Sequence, residues 1–334
     1  MLPITNVPVT QVAKGIHRIG PLTTGHTSHP TSPYLIVGKT KAMVCEPGQD
    51  GQVPGIIEAI EKCELERDQV EYVWASHIHL YHVQGLSVLL KELPKAKFLV
   101  HPRGAPHVID TGRLMEQTRE IWDVESPDKP GVKRCYGPMQ PVPANRVTTV
   151  EDNQIIDLGG KKVQIIFAPG HAPHHMALFD LETRALFPGD ICMVPGPGKP
   201  RGGHDIRPPM FYLDQFLQTV QHYIDLKPSV LLTFGDRGGT VFNTEECLRW
   251  AIEDHLAIER MCRDGLQRKQ SFHDIVRRVN EYMDAVGARP SRPRERDTPE
   301  FASGGLLGML AHIRRKDPSL DLPPDITWKM RGEP

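Results

Sequence analysis

The chain has 334 residues, enough for two domains or for one large core with an appendage. Its 40 Lys and Arg stand against 41 Asp and Glu, so no overall field favours nucleic acid or an anionic membrane as a partner. No apolar run approaches the roughly eighteen residues that a membrane-spanning helix needs, and no basic-then-apolar leader opens the chain. The six cysteines, Cys45, Cys63, Cys135, Cys192, Cys247 and Cys262, form no Cys-x-x-Cys pair. These features lead us to expect a soluble protein of the reduced cytoplasm that acts on a small-molecule substrate, with no nucleic acid and no membrane involved.

Residues 34–46 read as a hairpin, with Tyr34 to Val37 and Ala42 to Cys45 flanking a turn at Gly38-Lys39. Ile56, Ile60 and Cys63 then mark one helical stripe, and strand, helix and strand are predicted at 70–75, 84–93 and 97–101. The stretch 102–146 is rich in Pro, Gly and charge and reads as a partly helical insertion anchored by Leu114, Ile121 and Trp122. Strands return at 162–167, 176–179, 185–187 and 230–232, which makes the core mixed α/β. After residue 240 the pattern becomes helical. Thr244 is the expected N-cap for a helix carrying Leu248, Ala251, Ile252 and His255, and Ser271 for one carrying Ile275, Val279, Met283 and Val286. A final helix is expected at 306–313, beyond an Arg- and Pro-rich linker at 289–297. The expected domains are therefore 1–240 and a helical extension at 241–334. The apolar stripes of the extension call for a partner surface, from which we expect helices that close over the site edge and contribute to a homodimer.

The residues that carry chemistry lie at strand ends. His77, His79 and His82 follow the apolar run Val70 to Trp74 and precede the stripe Leu86, Leu89, Leu90 and Leu93, which places them in a strand-to-helix loop. Two His one residue apart can converge on one ion. A second cluster, Pro169-Gly170-His171-Ala172-Pro173-His174-His175, ends a strand in the same way, and a third, Pro188-Gly189-Asp190, presents a carboxylate. Each Pro-Gly turn alone is an ordinary surface loop. In this order they supply three imidazoles (His77, His79, His171) and one carboxylate (Asp190), the nitrogen and oxygen donors that zinc, iron or manganese prefers.

With these motifs the sequence resembles the metallo-β-lactamase fold superfamily, whose signature is His-x-His-x-Asp-His, then Gly-His, then a bridging Asp, then a late His at another strand end. The resemblance runs from about Gly15 to residue 240 and includes Gly15-Ile16-His17-Arg18-Ile19 and the turn Glu46-Pro47-Gly48, where the family usually has Asp-x-Gly. It implies an αββα sandwich with its site along one edge and the C-terminal helices appended. His77, His79 and His171 map onto the first metal site and Asp190 onto the bridging ligand. Two positions depart from the family. Tyr81 stands where the second site has its Asp, and Asp236 stands where the last His belongs. One tightly held divalent ion is therefore expected, zinc first with iron or manganese as alternatives. A second metal, weak or absent, would be left with His82, Asp190 and Asp236. A plain turn role for Asp236 fits as well.

Such a ligand set lowers the pKa of bound water and polarises a carbonyl or phosphoryl oxygen, the chemistry of a hydrolase. Asp190 and Tyr81 are the expected catalytic residues, Tyr81 as a hydrogen-bond donor to an oxyanion or leaving group, with packing beneath the metal as the competing role. His26 and Arg207 are expected at the substrate rim. Arg201 is a further anion contact on a loop at 195–203, and His29, His174, His175 and His204 lie near the motifs without ligating. By the resemblance, a lactone or thioester is the expected substrate. The alternatives are a mononuclear non-haem iron oxygenase of the persulfide-dioxygenase type, which shares the fold, and a non-catalytic binding protein.

Overall fold

Alternating side chains on short β-branched and aromatic strands build two sheets in a computed structural model that describes residues 6–23, 31–122, 137–192, 201–202, 206, 210–235, 239–288 and 304–326. The first sheet runs in chain order through β1 (Val9–Ala13), β2 (Ile16–Ile19), β3 (Tyr34–Val37), β4 (Ala42–Cys45), β5 (Val70–Trp74), β6 (Lys97–Val100) and β7 (Val147–Thr149). Strands β1 to β4 pair antiparallel, with short turns at 14–15 and 38–41, whereas β4 to β7 pair parallel and need crossovers. Helix α1 (Val53–Lys62), α2 (Leu80–Val83), α3 (Leu86–Glu92), α4 (Ala105–Ile109) and α5 (Gly112–Trp122) occupy those connections. The second sheet has the order β13 (Gly239–Val241), β12 (Val230–Thr233), β11 (Ala185–Phe187), β10 (Met176–Asp180), β9 (Lys162–Phe167) and β8 (Ile155–Asp157), antiparallel except between β11 and β12.

The period of two sorts the first sheet's side chains into two cores. Leu35, Val44, Val73 and Phe98 join Ile56 and Ile60 of α1 and Leu86 and Leu89 of α3 on one face. On the other face Ile16, Tyr34, Ile36, Met43, Trp74 and Leu99 meet Val163, Ile165, Met176, Leu178, Phe187 and Leu232 of the second sheet. The Phe187 ring meets Tyr34 edge-on at 5.2 Å and Trp74 at 6.4 Å, contacts that add about 0.5–1.5 kcal/mol each to the burial of the rings. The Tyr34 hydroxyl donates to the Thr233 carbonyl at 2.8 Å, so a buried phenol ties β3 to the end of β12. The result is the expected α/β sandwich with helices following it.

Two compact units emerge from where contacts concentrate. The first comprises Met1–Ala168, His174–Gly189 and Pro228–Phe242, and the second Pro169–Pro173, Asp190–Lys227 and Asn243–Pro334. The second unit contains α6 (Leu213–Leu226), α7 (Thr244–Gln267), α8 (Phe272–Ala285) and α9 (Gly304–Lys316), with α7 packed against the other three. Leu248, Ile275, Val279 and Met283 are buried within this unit, whereas Ile252 is half-buried. No helix among the described residues is long and apolar enough to cross a membrane.

Local details differ from the sequence reading. The helix expected at 84–93 is α3, and a short helical turn that was not expected, α2, precedes it; the Gly85 amide between the two donates to the Gly48 carbonyl at 2.8 Å. Thr244 is the first helical residue of α7, whose N-cap is Asn243, whereas Ser271 caps α8 as expected by accepting from the Asp274 amide. The final helix extends to Gly304–Lys316. Leu114 is a buried anchor of α5, as expected; the linker at 289–297 and the side chains of Ile121 and Trp122 lie outside the described residues.

At the start of α6 no side chain of the N-cap Tyr212 satisfies the helix, and the Leu213 amide donates instead to Nδ1 of His312, at 3.3 Å. Burial pushes the His312 pKa below that of a free imidazole, as an accepting ring nitrogen requires. The folded state thus favours the neutral ring, while the unfolded chain takes up the proton at higher pH, so stability must fall as pH drops through the imidazole range. Thermal melts from about pH 7.5 to about pH 5.5 are expected to show a declining Tm. His312→Asn, which retains an acceptor, should flatten part of that slope; an unchanged slope would remove His312 from the account.

Candidate metal centre

The first group of donors is set by the parallel ends of β4 and β5. Beyond them the chain turns at Glu46 and at Ser76, and the two turns are sewn together: the Glu46 amide donates to the Trp74 carbonyl at 2.7 Å, and the Ser76 amide donates to Glu46 Oε1 at 3.0 Å. Glu46 itself has a φ of +60°, a left-handed conformation that costs a side-chain-bearing residue roughly 1–2 kcal/mol. Its second carboxylate oxygen, Oε2, lies 2.6 Å from Nδ1 of His82, and both residues are buried. The conformation thus delivers one carboxylate to two partners of the His-rich loop.

His77 is buried, with Nδ1 at 3.0 Å from the Ser76 hydroxyl, while its Nε2 is 2.7 Å from Nδ1 of His79. That separation is a hydrogen bond between rings, so His77 and His79 cannot both be cationic and one ring donates to a neutral neighbour. His79 is the N-cap of α2, and its carbonyl receives the His82 amide at 2.9 Å. This single turn places the Tyr81 ring against that of His82, tilted by 46° with centroids 4.0 Å apart, and sets both against Phe234 just beyond β12, at 6.4 and 5.0 Å.

His171 and Asp190 come from the two Pro-Gly turns, and the glycines explain those turns. Gly170 has a φ of +136°, and a Cβ there would lie 2.4 Å from Cα of Phe216. The same turn receives the Tyr212 amide on the Gly170 carbonyl at 2.9 Å and the Thr219 hydroxyl on the Pro169 carbonyl at 2.7 Å, which clamps it to α6. Gly189 has a φ of +57°, and a Cβ there would lie 2.3 Å from Nε2 of His175 and 2.7 Å from Cβ of Ser76. Only a residue without a side chain lets each turn sit this close. His171 Nε2 lies 3.6 Å from Asp190 Oδ2.

His77, His79, His171 and Asp190 each offer one ligand atom, and these atoms all lie within 4.8 Å of one another. Three imidazoles and one carboxylate, three of the four residues buried, form a donor set that fits a divalent ion of intermediate softness. Among the described residues the cluster consists of these four and leaves out His82, whose Nδ1 is engaged by Glu46. Asp236, His26 and Arg207, together with His29 and His204, lie outside the described residues. His175 is buried beside Gly189, and its ring lies 5.1 Å from that of His77. Arg201 departs from the expected anion contact. Its guanidinium pairs with the buried Asp254 at 2.8 Å and covers the Trp250 ring at 5.1 Å.

A family model for the metallo-beta-lactamase superfamily matches residues 26–235. The chain belongs to that superfamily. Among its members, the metallo-beta-lactamase fold-containing protein of Sulfurisphaera tokodaii is 30% identical over 167 residues, 49% of this chain and 59% of that protein. The beta-lactamase-like protein 2 homolog of Caenorhabditis elegans is 22% identical over 202 residues, 59% of this chain and 56% of that protein. The chain therefore spans less than two thirds of the length of either relative. A metallo-beta-lactamase family protein from Thermus thermophilus shares the fold at a TM-score of 0.64 and 15% identity, covering 92% of this chain and 95% of that one.

Sequence reasoning missed Glu46 as a partner of His82, although a carboxylate in the turn where superfamily members carry Asp-x-Gly was the signal. Glu46→Gln keeps an oxygen for the Ser76 amide but faces His82 with an amide in place of a carboxylate. A hydrogen bond to a charged group contributes about 1.5–3 kcal/mol, and chemical denaturation should show a loss of that size. Wild-type stability in this variant would mean that the Glu46–His82 contact is not a supporting bond.

Proposed function

We propose that this superfamily member is a metal-dependent hydrolase of a small acyl compound, a lactone or thioester, which acts in the cytoplasm. The observation that supports the reading is the convergence of His77, His79, His171 and Asp190 within 4.8 Å. These four residues would hold one divalent ion, zinc in the first instance, which when bound supplies an acidified water and an electrophile for a carbonyl oxygen. The chain's own contribution is to fix the donors. The Ser76 hydroxyl at Nδ1 holds the His77 ring in one orientation, and α6 clamps the turn that presents His171. Tyr81, packed against His82 and Phe234, is carried on the same helical turn that begins at His79. Its phenol is the proposed hydrogen-bond donor to the oxyanion, a role that needs the ring fixed near the reacting centre.

Protein reconstituted separately with zinc, manganese and ferrous iron, and assayed on lactone and thioester panels, tests the proposal. Metal-dependent hydrolysis that a chelator abolishes is the expected result. Oxygen uptake with a persulfide by the iron form, and no hydrolysis by any form, would favour the oxygenase reading instead. Within an active preparation, Tyr81→Phe removes only the hydroxyl. A fall in kcat on the order of a hundredfold with metal content unchanged is expected if the phenol serves the transition state; wild-type turnover would reduce Tyr81 to packing.

A further inference from the structure

Two cysteines outside the metal cluster face each other in the second unit. The sulfurs of Cys192 and Cys247 are 3.2 Å apart, both side chains are buried, and both thiols are free. Cys192 directly follows the Gly189–Ile191 turn that carries Asp190, and Cys247 lies in the first turn of α7, so 55 residues of chain separate them. Cys45, Cys63 and Cys262 have no cysteine neighbour of this kind among the described residues. A disulfide needs a sulfur separation of about 2.05 Å, so the present contact leaves only about 1 Å to close.

We propose that Cys192 and Cys247 are a redox-modification site, closed to an intramolecular disulfide by a peroxide and reopened by a small thiol. In the first step one sulfur attacks a peroxide oxygen: the O–O bond breaks, an S–O bond forms, and the thiol proton leaves with the departing hydroxide as water. In the second step the other sulfur attacks the sulfenic sulfur: the S–O bond breaks, the S–S bond forms, and its proton leaves with the hydroxyl as a second water. Two thiols are thereby oxidised and one hydrogen peroxide reduced. The partner sulfur already in contact favours the second step over further oxidation of the sulfenic acid. The bond would fasten the turn that presents Asp190 to the first turn of α7, giving this turn an oxidised and a reduced form. The site stands independently of the hydrolytic reading, because its formation is read in the covalent structure.

The test uses the full-length reduced protein, exposed to hydrogen peroxide, alkylated under denaturing conditions, digested without reductant and mapped by mass spectrometry. A peptide pair joining Cys192 to Cys247 is expected in protein that runs as a single chain on a non-reducing gel, and it should vanish after dithiothreitol. Cys192→Ala should abolish the pair; if that variant does not fold, the wild-type map decides alone. Recovery of both cysteines as alkylated thiols, or as sulfonic acids with no linked pair, would overturn the proposal. So would a preferential bond from either cysteine to Cys63.

Discussion

Replacing His171 by alanine is expected to abolish stoichiometric metal binding and, with it, hydrolysis. His171 supplies one of the four donors gathered within 4.8 Å, and its imidazole is buried with Nε2 3.6 Å from Asp190 Oδ2. Loss of a mere supporting hydrogen bond to a ligand typically costs roughly 10- to 100-fold in metal affinity, and loss of the ligand itself should exceed that. Equilibrium dialysis followed by elemental analysis reads the effect directly. Folded His171→Ala protein that retains a full equivalent of metal would remove His171 from the ligand set.

The second large effect is expected from Gly170→Ala, a change of one methyl group. The added Cβ would fall 2.4 Å from Cα and 2.6 Å from N of Phe216, and both are backbone atoms of a helix that cannot yield as a flexible side chain can. The φ of +136° adds strain for any residue that carries a side chain. Overpacking of this kind costs about 1–3 kcal/mol, with the backbone strain on top. Relief requires the turn to separate from α6, which breaks the Tyr212 and Thr219 bonds and displaces His171. We therefore expect a lowered Tm together with lowered metal content. A variant with wild-type values of both would show that the turn is not held by the contact described.

The local motifs were legible in the sequence because each is carried by a few consecutive residues. The strand ends at Trp74, Phe167 and Phe187, each followed by a His- or Asp-bearing turn, announced the four donor residues that converge, and the alternation in Tyr34 to Cys45 announced the β3–β4 hairpin. The missed features depend on residues far apart in the chain. Glu46 reaches His82 across 36 positions, and Arg201 reaches Asp254 across 53, so neither pairing leaves a periodic signal. Gly170 and Gly189 read as ordinary turn formers, since the need for glycine comes from the approach of Phe216 in one case and of His175 in the other. The apolar stripes of α7 and α8 were visible, but that α7 packs against α6, α8 and α9 is a matter of tertiary packing that a stripe alone does not disclose.

The central claim is that His77, His79, His171 and Asp190 hold one ion. A crystal structure of the zinc-loaded protein, with anomalous diffraction recorded at the zinc edge, tests it most directly. The account predicts one full-occupancy peak within bonding distance of those four side chains, about 2.0–2.2 Å from each donor atom. No peak at that position, or a full-occupancy peak held by other residues in its stead, would contradict it.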